Sequence, residues 1–218
     1  MNIDKIKKWQ KMLDGQINEM TDILERKFIL EETRKMIESN SAINQDNLFY
    51  DHFRINYVYA QIIQLSRMLD QDSRTESLVN LLTDIEESPQ IFDRSWRDEI
   101  LKLVSDPSTV ETFGHALEEK SLTADAIAED KCQLLCKFSP IKKYRDRQIA
   151  HKQSRGQRPN LSFQKLDEFI EHLHKRVLVY AHFLNGSGYP DSGLMPIIQY
   201  DWQAIFRVPW INDSLSKK

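Results

Sequence analysis

The chain has 218 residues, with 30 Lys and Arg against 33 Asp and Glu, so its formal net charge is −3 at neutral pH. Hydrophobic residues make up 40% and charged residues 29%, with only six Gly and seven Pro, which fits a mainly helical globular protein better than a disordered or all-β chain. The length suits one large domain, and the mild acidity gives no overall signature of a nucleic-acid binder.

The sequence shows no export or membrane segment. Residues 1–9 interleave charged and apolar side chains and lack the continuous apolar core of a secretion signal. The longest apolar run, Val177 to Ala181, is far shorter than the ~20 residues that span a bilayer. We therefore expect a cytoplasmic protein that does not contact a membrane.

Two long amphipathic helices are predicted in the first third, from Ile3 to Ser39 and from Gln45 to Leu69, because apolar residues recur there every three or four positions. Those expected to face the core are Ile3, Ile6, Leu13, Ile17, Met20, Leu24 and Phe28 in the first helix, and Leu48, Phe49, Ile55, Tyr59, Ile62 and Leu65 in the second. Shorter helices are expected over residues 76–86 and 94–103.

The second half predicts further helices. Thr123 is a candidate N-cap for a helix that runs to Phe138, and Ser139-Pro140 would cap and begin the next one. A bundle helix is predicted from Phe163 to Leu184, followed by an irregular aromatic tail that packs on the bundle. We predict an all-α helical domain over residues 1–186 and a C-terminal tail over residues 187–218.

The two cysteines, Cys132 and Cys136, lie four residues apart in a predicted helix. A disulfide at this spacing would constrain little, so both are expected to be small core residues. The alternative, half of a metal site, has no second half elsewhere in the chain. No metal site is predicted.

Positive charge gathers in the third quarter of the chain. The cations Lys142, Lys143, Arg145, Arg147, Lys152, Arg155 and Arg158 face Asp146 alone, a local charge of +6. His151 lies among them, and histidine is the side chain that titrates near neutral pH. The segment is predicted to bind a phosphate backbone.

Arginine and histidine side chains placed close together suit the cleavage of RNA. RNA carries its own nucleophile, the 2′-hydroxyl, so cleavage needs a proton-transfer group and a cation beside the phosphate. On a wheel of about 100° per residue, Arg145 and His151 flank one helix face, and Arg147 is more peripheral. In this hypothesis His151 transfers the proton, Arg145 holds the phosphate and Asp146 orients one of them, without a metal or other cofactor. From spacing alone, a solvated helix face is the commoner explanation.

The string from Arg145 to His151 resembles the R-x(4–6)-H motif of the HEPN superfamily, with Asp146 where Asn, Asp or His is typical. Residues 65–82 resemble the abortive-infection AbiU-like branch, and the resemblance extends from about Ile3 to Leu184. It implies a HEPN-like bundle of long antiparallel helices that dimerises, so that two motifs form one composite site.

The resemblance further implies a metal-independent endoribonuclease of a toxin or phage-defence system. By position, Arg145, Asp146 and His151 would be catalytic. The RNA-binding residues would be Lys142, Lys143, Arg147, Lys152, Arg155 and Arg158. The partners implied are RNA, a second copy and an antitoxin protein.

One departure from the family pattern and the diversity of the superfamily keep alternatives open. In toxins partnered by a nucleotidyltransferase, a tyrosine often lies two residues after the histidine; here that residue is Gln153, so regulation by that route is not expected. Some superfamily members lack nuclease activity, and the alternative function is a non-catalytic module that binds RNA, a nucleotide or a protein.

His172 and His174 diverge by about 200° on a helix and are expected on a solvated face.

Overall fold

The computed structural model describes residues 3–45, 48–88, 123–150, 161–185, 194 and 201–208. Its α-helices are α1 (Ile3–Glu38), α2 (Leu48–Met68), α3 (Leu78–Glu86), α4 (Ala124–Tyr144) and α5 (Phe163–Asn185). A π-helical turn (Arg145–Ala150) continues α4, and a 3₁₀ turn (Trp202–Arg207) lies near the C-terminus. No strand occurs within these ranges, so the all-α prediction is confirmed. The helix predicted over residues 94–103 lies outside the described residues.

The central helix is α1, which packs against α2, α3 and α5. It runs antiparallel to α5: Gln10 Nε2 donates to the Leu184 carbonyl over 2.7 Å near one end, and Lys27 Nζ lies 3.4 Å from Glu171 Oε1 near the other. α4 is also antiparallel to α5: Tyr180 Oη donates to Asp130 Oδ2 over 3.1 Å near one end, and the ring centroids of Phe138 and Phe169 lie 5.5 Å apart near the other. The predicted bundle of long antiparallel helices is confirmed.

One apolar cluster fills the space between the helices. Its fully buried members come from every described α-helix and include Trp9, Leu13, Met20, Ile62, Leu65, Leu81, Ile127, Leu134, Ile170, Leu173 and Tyr180. Burying a leucine- or phenylalanine-sized side chain contributes about 1.5–3 kcal/mol, so this cluster dominates the stability of the bundle.

The predicted apolar face of α2 is partly wrong. Ile62 and Leu65 are buried as expected, but Leu48, Phe49, Ile55 and Tyr59 are exposed. The prediction for Phe28 of α1 is wrong in the same way, since that side chain is also exposed.

Buried glutamines take the inward positions of α2 instead. Gln61 Nε2 donates to the Ile23 carbonyl and Gln64 Nε2 to the Glu19 carbonyl of α1, both over 2.9 Å. Each amide is thereby satisfied by a neighbouring helix, which removes most of the cost of burying a polar group. The inward face of α2 is therefore rotated away from the one that hydrophobicity alone indicates.

Pro140 does not begin a new helix, contrary to the prediction, but lies inside α4. A proline within a helix removes one backbone hydrogen bond and costs about 3 kcal/mol. Phe138 and Ile141, on either side of it, are both buried, and their packing holds the helix continuous. The N-cap prediction is confirmed, because Thr123 Oγ1 accepts a hydrogen bond from the Ala126 N–H.

Both cysteines are exposed, so their prediction as core residues is wrong. Leu134, between Cys132 and Cys136 in the sequence, takes the buried position on α4. The helix turns by about 100° per residue, and a face that buries Leu134 therefore turns both thiols outward.

Leu194 of the C-terminal segment contacts the bundle. Leu194 packs against the core cluster, and its N–H donates to His174 Nε2 over 3.0 Å. In the 3₁₀ turn the Trp202 ring meets Phe206 edge-on at 6.1 Å, and Phe206 is exposed. The predicted domain boundary at residue 186 stays a prediction.

An ion-pair cluster joins the start of α1 to α3. Lys5 Nζ and Lys8 Nζ lie 2.9 Å from the two carboxylate oxygens of Asp84. Burial alone would raise the pKa of Asp84, but the hydrogen bonds from the two lysines outweigh it and lower the pKa from 3.8 to about 2. The depressed pKa means that this stabilisation is complete above pH 3.8 and disappears as the pH falls toward 2.

We therefore expect Asp84→Asn to lower the urea midpoint clearly at pH 6 and much less at pH 2. Urea unfolding of both proteins across this pH range would measure the difference. A difference that persists undiminished at pH 2 would contradict the ion-pair explanation.

Candidate functional site

The predicted motif begins where α4 changes its helical geometry. The Arg145 N–H donates to the carbonyls of both Ile141 and Lys142, and residues 145–150 then form the π-helical turn. Hydrogen bonds in a π turn run from i to i+5, so the step of 100° per residue does not apply there. The angles predicted around the helix axis for the residues after Tyr144 assumed an α-helix, so they do not hold for residues 145–150. Such turns are rare and frequently occur at functional sites.

Arg145 and Asp146 form an ion pair on this turn. The Nε and Nη2 of Arg145 donate to the same carboxylate oxygen, Oδ1 of Asp146, over 2.8 and 2.6 Å. Nearly a third of the Arg145 side chain and nearly half of the Asp146 side chain stay exposed. The carboxylate thus fixes the orientation of a guanidinium that remains accessible to a phosphate.

The inner side of the turn is anchored in the bundle. Tyr144 and Ile149 are partly buried and pack against the core cluster. Burial raises the pKa of Tyr144, and the nearby Tyr59 of α2 raises it further. The turn is therefore fixed between α4 and α2, and its outward side chains are presented to solvent.

The described cations are on that outward side. Lys142 and Lys143, in the last turn of α4, and Arg147, in the π turn, are all exposed. With Arg145 they form a cationic surface that contains a single acid, Asp146. Such a surface attracts a phosphate backbone.

Four predicted site residues lie outside the described residues: His151, Lys152, Arg155 and Arg158. His151 follows Ala150, the last residue of the π turn, directly in the chain. The assignments of these four residues stay predictions.

Three clefts between the described helices do not include the motif. Clefts of about 620, 650 and 710 Å³ are lined by other residues, and none of the three includes Arg145 or Asp146.

His172 and His174 are less exposed than predicted. His172 Nδ1 lies 3.1 Å from Lys137 Nζ, and His174 Nε2 accepts the hydrogen bond from the Leu194 N–H. Burial is the main cause that lowers the pKa of both, and nearby lysines lower it further. In the part of the chain that the structure describes, no group of three His, Cys, Asp or Glu side chains could hold a metal ion.

The antiparallel helical bundle and the paired Arg145–Asp146 at the start of the R-x(5)-H string define a protein of the HEPN class. The family model HEPN_AbiU2, described as AbiU2, matches residues 6–203. The chain therefore belongs to the AbiU2 family, and the predicted abortive-infection branch is confirmed. Comparisons with curated proteins and with solved structures find no match.

None of the helices within the described ranges is long and apolar enough to cross a bilayer.

Proposed function

We propose that the chain is a cytoplasmic, metal-independent endoribonuclease of a phage-defence or toxin–antitoxin system. The observation that carries the proposal is the accessible Arg145 guanidinium, oriented by Asp146 on a π turn whose next residue is His151. Membership of the AbiU2 family supports the same function. The partners in this proposal are RNA, a second copy of the chain and, in a toxin–antitoxin setting, an antitoxin.

The proposed reaction uses the 2′-hydroxyl of RNA as the nucleophile. His151 accepts the proton of that hydroxyl while its oxygen attacks the adjacent phosphorus, and the bond from phosphorus to the 5′-oxygen breaks. Arg145 stabilises the extra negative charge on the phosphate oxygens in the transition state. The leaving 5′-oxygen takes up a proton, which the His151 of a second copy supplies. The products are a 2′,3′-cyclic phosphate and a 5′-hydroxyl.

The outer face of α2 offers a surface for that second copy. Ile55, Tyr59 and Ile63 are spaced four residues apart, and 47%, 36% and 50% of their respective surfaces are exposed. This apolar stripe runs beside the π turn, since α2 contacts the turn and Tyr59 lies near Tyr144. Contiguous exposed apolar surface is typical of a protein interface. A copy bound to the stripe would bring its own motif close to Arg145.

Replacing both Ile55 and Ile63 with glutamate is therefore expected to give a monomer, because two like charges would be buried in the interface. Loss of the dimer should also reduce RNA cleavage, because His151 of the second copy supplies the proton to the leaving 5′-oxygen. Light scattering after size exclusion would report the mass, and an RNA cleavage assay the activity. Phe28→Glu, which adds a charge at an exposed apolar residue of α1, should change neither the mass in solution nor the rate of RNA cleavage. A monomer that cleaves at the wild-type rate would contradict the composite site.

The nuclease itself is tested by incubating purified protein with several RNAs in EDTA and identifying the product ends. We expect cleavage to 2′,3′-cyclic phosphate ends by the wild type and strongly reduced cleavage by His151→Ala. Equal cleavage by both proteins would show that His151 is not catalytic. RNA binding without cleavage of any RNA would instead favour the non-catalytic module.

A further inference from the structure

The thiols of Cys132 and Cys136 lie on the outward face of α4, where both residues are exposed. Free cysteine is among the residue types most often buried, so two exposed cysteines in one helix are unusual. Both lie well inside α4, eight residues after Ala124 and eight residues before Tyr144. Helical geometry therefore fixes how the two side chains are placed relative to each other.

The spacing of the two cysteines brings their side chains together without letting them bond directly. Residues four apart on an α-helix differ by about 40° around the axis, and their Cβ atoms are about 5–6 Å apart. A disulfide needs Cβ atoms about 3.5–4.5 Å apart, so closing one here would distort the helix. The buried side chains of Ile127, Leu134 and Phe138 hold α4 in the bundle and resist such a distortion. The two sulfurs are therefore placed to share a bridging atom.

The polar side chains near the cysteines have other partners. Glu129, three residues before Cys132, accepts a hydrogen bond from Gln133 Nε2 over 2.9 Å. Lys137 Nζ lies 3.1 Å from His172 Nδ1 of α5. Within the described residues, no third His, Cys, Asp or Glu joins the two thiols in a group that could hold a metal ion. The exposed face of α4 therefore offers a pair of sulfur ligands.

A pair of thiolates favours one kind of metal ion. Thiolate sulfur is a soft ligand, which suits Cu(I), Zn(II) and iron–sulfur clusters. Structural Zn(II) sites and iron–sulfur clusters use four protein ligands, twice as many as this pair supplies. Cu(I) is stable with two thiolates in a near-linear arrangement, which keeps the sulfurs further apart than a disulfide bond does. That requirement agrees with Cβ atoms about 5–6 Å apart.

We propose that Cys132 and Cys136 bind one Cu(I) ion as a two-coordinate thiolate site on the outer face of α4. Each thiol releases its proton to solvent as its sulfur binds the metal, so the affinity should rise with pH. The site is separate from the proposed RNA-cleaving site, because Cys136 precedes Arg145 by nine residues, about 14 Å along the helix. The bound Cu(I) takes no part in the proposed cleavage, which uses no metal.

An anaerobic titration of the full chain with the coloured Cu(I) complex of bicinchoninate would test the proposal. The reduced wild-type chain, free of added thiols, should withdraw one equivalent of Cu(I) from the complex. X-ray absorption of the loaded protein should show two sulfur ligands. Cys132→Ser and Cys136→Ser should each bind Cu(I) about 10²–10⁴-fold more weakly, because two ligands on one scaffold bind that much more tightly than one.

A displaced pair of thiols is the matched control. The double variant with Cys136→Ser and Ala126→Cys keeps two thiols on α4, and Ala126 is exposed. Positions 126 and 132 differ by about 120° around the helix axis and about 9 Å along it, so one metal ion cannot join them. This variant should bind Cu(I) as weakly as Cys136→Ser does. Circular dichroism of each variant would check the fold.

Three results would overturn the proposal. One is that the wild-type chain withdraws no Cu(I) from bicinchoninate. Another is binding as tight as wild type by a single-cysteine variant or by the displaced pair, since the metal would then not need the natural spacing. The third is an X-ray absorption spectrum with three or four sulfur ligands, because thiolates of a second copy would then complete the site.

Discussion

Replacing His151 with alanine is expected to slow RNA cleavage by about 10²–10⁴-fold, the usual contribution of a general acid–base side chain. The loss should approach the upper end in a symmetric dimer, because one substitution removes both the base and the acid. Initial rates on a defined RNA in EDTA would measure it, with circular dichroism as a check on the fold. His52→Ala removes an exposed histidine of α2 and is the matched control.

Substitutions of Arg145 and Asp146 should reduce RNA cleavage to different degrees. Arg145→Ala removes the charge that stabilises the transition state and is expected to be nearly inactive. Arg145→Lys keeps the charge but loses the planar fork, so its activity should be intermediate. Asp146→Asn should reduce cleavage less, because it only frees the orientation of Arg145.

Arg74→Ala is the matched control for this series. The Arg74 guanidinium is also held by an acid close in sequence, Asp72, but it lies in the loop before α3. The Arg74→Ala variant should cleave RNA at the wild-type rate. If His151→Ala or Arg145→Ala also did so, the catalytic assignment would be wrong.

Deleting Arg147 is expected to abolish cleavage as completely as removing the histidine. A π turn holds one residue more than an α-helical turn, and losing one residue should return the segment to α-helical geometry. His151 would then be displaced relative to Arg145. An error of about 1 Å in catalytic geometry can cost 10²-fold in rate.

Arg147→Ala is the matched control for the deletion. It removes the same side chain at constant chain length, so the π turn should remain. RNA binding should weaken modestly, with the salt dependence reduced by about 0.7 for one lost phosphate contact on a single strand. Cleavage assays and RNA binding at several salt concentrations would separate the two variants. Wild-type cleavage by the deletion variant would show that the π turn has no role in positioning the site.

The candidate site was proposed from local sequence. Arg145, Asp146 and His151 form a short string whose residue types suggest the chemistry; the family match confirms the family, and the catalytic roles stay a prediction. What the string could not predict is the π turn. That geometry depends on Tyr144 and Ile149 packing against the bundle, which neither residue specifies by itself.

By itself, the sequence determined the helices and the family. The bounds of α1 and α5 follow from apolar periodicity over many turns, and the start of α4 follows from Thr123, because these signals act within one helix.

Only the tertiary structure decided which faces of the helices are buried in the bundle. Gln61 is buried because a carbonyl of α1 meets its amide, and Ile55 is left exposed as a result. Pro140 is tolerated within α4 because the residues beside it are buried. The physical reason is common to all of them: burial depends on partners that are distant in the chain, and periodicity within one helix carries no information about them.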